Sequence, residues 1–145
     1  MGANQRRVRI EWGDCDAAGI VYFPRYLAMF DGCTAAVFET AGLPIGQLIK
    51  TYAIVGLPVV DLKVRFMAPS SFGDEVLIKT TITEWGRSSF KVQHELFKQG
   101  SAQHRDELRA VEAREVRVWT GRDPSAPGRL RPQAIPREVI ERFAG

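Results

Sequence analysis

With 145 residues, 45% of them hydrophobic and 26% charged, the chain reads as a single globular domain, residues 1–145, long enough to bury a real core. A formal net charge of +3 is modest, and no stripe of interleaved arginines and aromatics argues for nucleic acid; no apolar run reaches the length of a membrane span. Cys15 and Cys33 fit neither a disulfide framework nor a zinc spacing, and the N-terminal stretch lacks the apolar core of a signal peptide, which points to the reducing cytoplasm.

The alternation of Val8, Ile10 and Trp12 with Arg7, Arg9 and Glu11 predicts a half-buried strand over residues 6–12. An acidic turn follows, Asp14-Cys15-Asp16-Ala17-Ala18-Gly19, and then an apolar lead-in of Ile20, Val21, Tyr22 and Phe23. Pro24 opens a long helix, because its missing N–H would have no intrahelical partner in the first turn. Gly42, suited to the left-handed position past a helix end, closes it, with Pro44 beyond. Leu27, Phe30, Thr34, Val37, Phe38 and Ala41 follow helical spacing, and only Arg25, Asp31 and Glu39 are charged. A helix so poor in charge is expected to be wrapped by other elements.

Residues 45–57 are mixed and yield no regular element. Val60 to Phe66 alternates cleanly and predicts a strand, and Pro69 to Asp74 has turn chemistry. Val76 to Ile82 is a second strand, and Phe90 to Phe97 a third, with Phe90, Val92, His94 and Leu96 on one face. Glu84 to Ser89 connects them, and residues 98–106 read as a hairpin loop. Leu108 to Trp119 predicts a long strand with a phase slip, since Val111 and Ala113 alternate out of step with Val116 and Val118. Residues 121–132 read as loop, and 136–143 as a short terminal helix. Consecutive strands beside one segregated helix imply an α+β fold with an antiparallel sheet of about five strands. Its edges invite self-association.

Asp16 is the sharpest candidate for chemistry. It sits after a strand, before a glycine and close upstream of a helix start. A carboxylate there can attack an activated acyl group or serve as base for water, while backbone N–H groups near Phe23 receive the carbonyl oxygen. Spacing alone favours the plainer reading, in which Asp16 only braces a turn, as aspartates commonly do. Asp14 lacks further acidic ligands or histidines for a metal and is read as bonding backbone, and Cys15 as a packing residue. Asp31, charged within an apolar helix, is expected to bond a neighbouring strand, a protein partner or a ligand. His94 reads as a satisfied core or interface histidine and His104 as solvated, while Arg87 with Ser88 and Ser89 forms a loop group that can hold a phosphate, although an exposed loop arginine is usually just solvated.

The run from Gly13 to Tyr26, GDCDAAGIVYFPRY, resembles the signature of hotdog-fold acyl-CoA thioesterases, most closely the 4-hydroxybenzoyl-CoA thioesterase family of the Pseudomonas type. Ile54 to Val60, Glu84 to Phe90 and the last long strand continue the resemblance in collinear order. It implies a long helix wrapped by a curved antiparallel sheet, dimers that pair into a homotetramer, and active sites at subunit interfaces. It implies hydrolysis of an aromatic, 4-hydroxybenzoyl-like acyl-CoA, with coenzyme A as part of the substrate and no metal or separate cofactor. On this resemblance the catalytic carboxylate falls on Asp16, as nucleophile or general base, and the polarising backbone N–H on Phe23. Asp31 falls beside the aromatic acyl pocket. Tyr22 and Leu57 occupy lining positions, Leu57 being more apolar than the family's threonine. Of a family basic triplet for the coenzyme phosphates only Arg87 keeps a positive charge, flanked by Gly86 and Ser88. Rival readings are a thioesterase for short aliphatic or hydroxyacyl groups and a non-catalytic acyl-CoA-binding module.

Overall fold

The computed structural model describes residues 2–99 and 108–144. Strands β1 (Ala3–Arg9), β2 (Val59–Phe66), β3 (Glu75–Trp85), β4 (Ser89–Lys98) and β5 (Leu108–Val118) form one sheet in the order β1-β3-β4-β5-β2, antiparallel throughout. Helix α1 (Phe23–Thr40) lies against one face of it. This is the α+β hotdog arrangement that the sequence implies. A short helix α2 (Ile45–Tyr52), a hairpin of β6 (Thr120–Arg122) and β7 (Leu130–Pro132), and helix α3 (Arg137–Glu141) complete the chain.

Period-two patterning builds the inner face. Val76, Ile78, Thr80 and Ile82 on β3 and Phe90, Val92, His94 and Leu96 on β4 are all buried. Tyr26, Phe30, Cys33, Thr34, Val37 and Phe38 of α1 meet them at helical spacing. Near the end of α1, Phe38 sits 5.5 Å from Phe90 and 5.0 Å from Phe143, ring centre to ring centre, which ties α3 to the core. Tyr22 caps α1, proline stands in its first turn, and Gly42 takes a φ of +78° past its end. The opposite side of α1, including Ala28, Asp31 and Glu39, stays exposed, so within one chain the helix is covered on one side rather than wrapped all round.

Several local expectations are corrected. The first strand ends at Arg9, and Trp12 lies in a 3-10 turn (Trp12–Asp14), 75% exposed and edge-on to Phe72 rather than on the buried face with Ile10. Residues 45–52 are helical, because Ile45, Leu48 and Ile49 share one apolar side that packs on the core. β3 extends to Trp85, so the connection shrinks to a tight turn at residues 86–88. The span 121–132 contains paired strands rather than loop alone. The expected slip in β5 is absent between Ala113 and Val116. Val111, Ala113, Glu115 and Arg117 stay in one inward phase, and the irregularity falls instead opposite Leu96 and Phe97. Most of the expected 98–106 loop, with His104, lies outside the described residues.

The two edges of the sheet differ. β1 carries Arg6, Arg7 and Arg9, charges that discourage pairing. β2 exposes Val59, Val60, Leu62 and Phe66, interleaved with the exposed charges of Asp61, Lys63 and Arg65.

Candidate active site

Residues 14–22 form a clasp. Cys15 bridges Val21, and the Tyr22 N–H donates to the Asp14 carbonyl at 2.8 Å. At its tip the Asp16 N–H donates to Ile20 O, and the Gly19 N–H donates back to Asp16 O, each at 2.9 Å. Gly19 adopts a φ of +81°, a conformation that an L side chain rarely accepts, so glycine permits the tight return. Val21 N–H to Ser70 O at 2.9 Å and an Ile20–Ser71 bridge tie the clasp to the turn before β3.

The two aspartates divide the work. Asp14 Oδ2 accepts the Glu11 N–H at 2.8 Å and its Oδ1 meets Arg25 Nε at 3.2 Å, so it braces the turn, as the sequence suggests. Asp16 is exposed, and its Oδ1 accepts the Ala18 N–H at 2.8 Å. That bond fixes the carboxyl plane while leaving an oxygen for a substrate. No group of three or more His, Cys, Asp or Glu side chains suited to a metal occurs among the described residues.

Asp16 stands on the wall of a cleft of about 450 Å³, a size suited to a small molecule. Phe23, Tyr26, Phe66 and Met67 line it with Ile20. Phe66 lies 6.5 Å from Phe23 and 5.8 Å from Tyr26, so the cleft is aromatic. Tyr26 is 3% exposed; burial pushes its phenol up, and Ser70 beside it pulls the other way. Ser70 Oγ is itself buried without a partner in hydrogen-bond geometry. The start of α1 opens onto this cleft. Pro24 has no N–H, and the Arg25 N–H donates to Tyr22 O at 2.8 Å, which leaves the Phe23 N–H as the donor at the helix start. Carboxylate and helix dipole thus face one aromatic cavity.

The remaining sequence candidates lie elsewhere in the chain. Tyr22 is 51% exposed and edge-on to Phe23 at 5.8 Å, flanking the cleft without lining it. Asp31 sits two turns along α1, its Oδ1 2.8 Å from Arg117 Nη2, which matches the expectation of a bond to a neighbouring strand. The Leu57 side chain is buried in the core, and its carbonyl accepts Arg117 Nη1 at 3.1 Å. Arg117 therefore joins Asp31 and Leu57 into a second cluster. Arg87 and Ser88 occupy the β3–β4 turn, where their carbonyls accept the Ile135 and Trp119 N–H groups at 2.8 Å each. The length of β3, about 30 Å, separates that turn from the clasp.

Sequence reasoning missed the inward-facing pair Glu115 and Arg117. Glu115 Oε1 accepts Thr34 Oγ1 at 2.6 Å and Arg117 Nε at 2.9 Å, and lies 3.3 Å from His94 Nε2. His94 Nδ1 is 2.8 Å from Thr80 Oγ1, and its ring stacks on Phe30 at 4.8 Å, so it is the satisfied core histidine anticipated. Burial alone would raise the Glu115 carboxyl. Bonds from His94, Arg117 and Thr34, with the Arg117 charge, outweigh it and hold the group at about 2. Burial would lower the Arg117 pKa, but Glu115 and Asp31 more than reverse that. The available signal was strand phase: Glu115 and Arg117 continue the inward alternation of Val111 and Ala113.

Residues 10–143 match the thioesterase-like superfamily. The chain belongs to that superfamily. It is 37% identical over 134 residues to the 4-hydroxybenzoyl-CoA thioesterase of Pseudomonas sp. strain CBS-3, covering 92% of each chain. The solved structure of the 4-hydroxybenzoyl-CoA thioesterase from that strain superimposes with a TM-score of 0.88 at 34% identity, over 98% of this chain and 99% of the other. A solved gentisyl-coenzyme A thioesterase superimposes with a TM-score of 0.76 at 32% identity, over 98% of this chain and 100% of the other.

Proposed function

We propose that this thioesterase-like chain hydrolyses an aromatic acyl-CoA, of the 4-hydroxybenzoyl kind, to the free acid and coenzyme A. The observation that carries the reading is the meeting of the Asp16 carboxylate and the Phe23 helix start in one cleft walled by aromatic rings. An acyl ring enters between Phe23, Tyr26 and Phe66, and its thioester carbonyl oxygen points at the Phe23 N–H. Asp16 then attacks the carbonyl carbon. The resulting oxyanion is held by the N–H and the positive end of α1. Its collapse expels the coenzyme thiolate and leaves an acyl–Asp16 anhydride, which water cleaves to regenerate the carboxylate. In the alternative step Asp16 takes a proton from a water that attacks the same carbon. The reading needs no metal and no separate cofactor.

The four exposed apolar side chains on edge strand β2, Val59, Val60, Leu62 and Phe66, support a homodimer. A strand pairing antiparallel with its own copy about a twofold axis sets the Phe66 end of one chain beside the Val59 end of the other. Leu57 precedes Val59 by two residues. The pairing therefore carries the Leu57–Arg117–Asp31 cluster of one copy toward the Asp16 cleft of its mate. Asp31 then meets the ring hydroxyl, Tyr22 and the backbone around Leu57 flank the pocket, and Arg87 with Ser88 of a further copy meets the coenzyme phosphates in a dimer of dimers. We place this activity in the cytoplasm, where Cys15 and Cys33 stay as free thiols, as they are here. None of the described helices is long and apolar enough to cross a membrane.

The test is thiol release from a panel of aromatic and aliphatic acyl-CoAs. Asp16→Asn is expected to lower kcat at least about a thousandfold with the fold intact. Turnover of folded Asp16→Asn near the wild-type rate overturns the assignment. Repeated turnover in ¹⁸O-water separates the two steps: label found in the Asp16 carboxylate requires the anhydride.

A further inference from the structure

A buried cation here reaches out to an exposed anion. The Arg117 side chain is 7% exposed and that of Asp31 is 71% exposed. A surface carboxylate usually swings freely, and its ion pairs contribute little. This one is held from beneath. Arg117 donates Nε and Nη2 to the two Glu115 oxygens at 2.9 and 3.2 Å, and Nη1 to Leu57 O at 3.1 Å. Those bonds fix the guanidinium plane before Asp31 is considered. Glu115 is fixed in turn by Thr34 and His94. A rigid relay therefore runs from the middle of the sheet to one outward carboxylate on α1. Among the described residues only Asp31 Oδ1 is engaged, so Oδ2 stands as an oriented acceptor.

We propose that Arg117 is a positioning residue for acyl-group selection. It holds Asp31 so that Oδ2 accepts a hydrogen bond from a hydroxyl on the aromatic acyl ring. The proposal rests on the reading above, in which a second copy brings Asp31 to the cleft. A planar, five-donor guanidinium satisfies Glu115, the Leu57 carbonyl and Asp31 at once. A lysine ammonium retains the charge but cannot span all three. Positioning, rather than charge alone, is therefore the quantity to perturb.

The experiment measures binding of two unreactive thioethers, S-(4-hydroxybenzyl)-CoA and S-benzyl-CoA, by titration calorimetry. The wild-type chain is compared with Arg117→Lys, Asp31→Asn, the double variant and Asp31→Glu. Wild type is expected to favour the hydroxylated ligand about tenfold, as a hydrogen bond to a charged acceptor does. Arg117→Lys is expected to reduce that preference to about twofold, and Asp31→Asn to erase as much. The double variant should lose no more than Asp31→Asn alone, because both act through one oxygen. Asp31→Glu keeps the charge, lies on an exposed helix face and moves the oxygens outward, so it should also lose the preference; it decides the matter should Arg117→Lys fail to fold. A wild type without preference, a preference retained in Arg117→Lys or Asp31→Glu, or additive losses in the double variant overturns the proposal. Hydrolysis of the matching thioesters separates the two ideas. Turnover with any of those results sinks the positioning role alone, whereas no turnover and no binding of either ligand sinks the functional reading with it.

Discussion

Replacing Glu115 with Gln tests what holds the inner face of the sheet to α1. The glutamine keeps the shape and removes the charge, leaving Arg117 buried beside a neutral amide. The folded carboxyl sits at about 2 against an ordinary 4.5. At about 1.4 kcal/mol per pH unit, that difference corresponds to about 3 kcal/mol of stability at neutral pH. The sign follows from proton binding. Because the folded pKa is the lower one, the unfolded chain takes up the proton first as pH falls. The stabilisation is complete above about 4.5 and disappears as pH drops toward 2, with about 2 kcal/mol gone by pH 3. Breaking one side of a buried ion pair costs about 3–5 kcal/mol by a separate route, which agrees. Urea unfolding at fixed protein concentration, followed by tryptophan fluorescence at pH 7, 5 and 3, reads the effect. The variant should be weaker by about 3 kcal/mol at pH 7, and the gap should narrow by about 2 kcal/mol by pH 3. A gap under about 1 kcal/mol at pH 7, or one that does not narrow between pH 5 and 3, refutes the assignment of the buried charge.

Other expectations follow from packing, backbone conformation and assembly. Phe38→Ala removes a fully buried ring that joins Phe90 to Phe143. It should cost about 3–5 kcal/mol in denaturant unfolding while the folded fraction keeps its turnover. Gly19→Ala meets no atom within 4 Å, so its penalty comes from the φ of +81° alone. About 1–2 kcal/mol of strain is expected, with a fall of about tenfold in kcat as the Asp16 clasp shifts; unaltered kcat would detach the clasp from the chemistry. Leu62→Lys replaces one of the exposed apolar side chains of edge strand β2 with a charge. Sedimentation should report a shift toward monomer with parallel loss of turnover, and an active monomer would contradict a site shared between copies.

Local periodicity carried much of the fold. Strands β2, β3 and β4 alternate with period two, and α1 runs between a proline and a glycine, so their types were legible from residue order. Asp16 was legible too, since an acidic turn just ahead of a proline-started helix has a restricted range of geometries. The short helix α2 was obscured because eight residues punctuated by Gly46 show little more than two turns of period. Trp12 departs from its strand because the chain turns at residue 10, and its ring then packs on Phe72, more than fifty residues away.

What residue order settled by itself was helix α1, the main strands of the sheet and the approach of Asp16 to the start of α1, because these follow from patterns a few residues long. What only the tertiary structure decided was which charges turn inward. Charge in Glu115 and Arg117 argues for water when each is read alone. Thr34, His94, Asp31 and the Leu57 carbonyl, brought from distant parts of the chain, supply the bonds that make burial tolerable. A buried charge is stable only beside partners of this kind, and partners separated by sixty or eighty residues become neighbours only when the sheet closes over the helix.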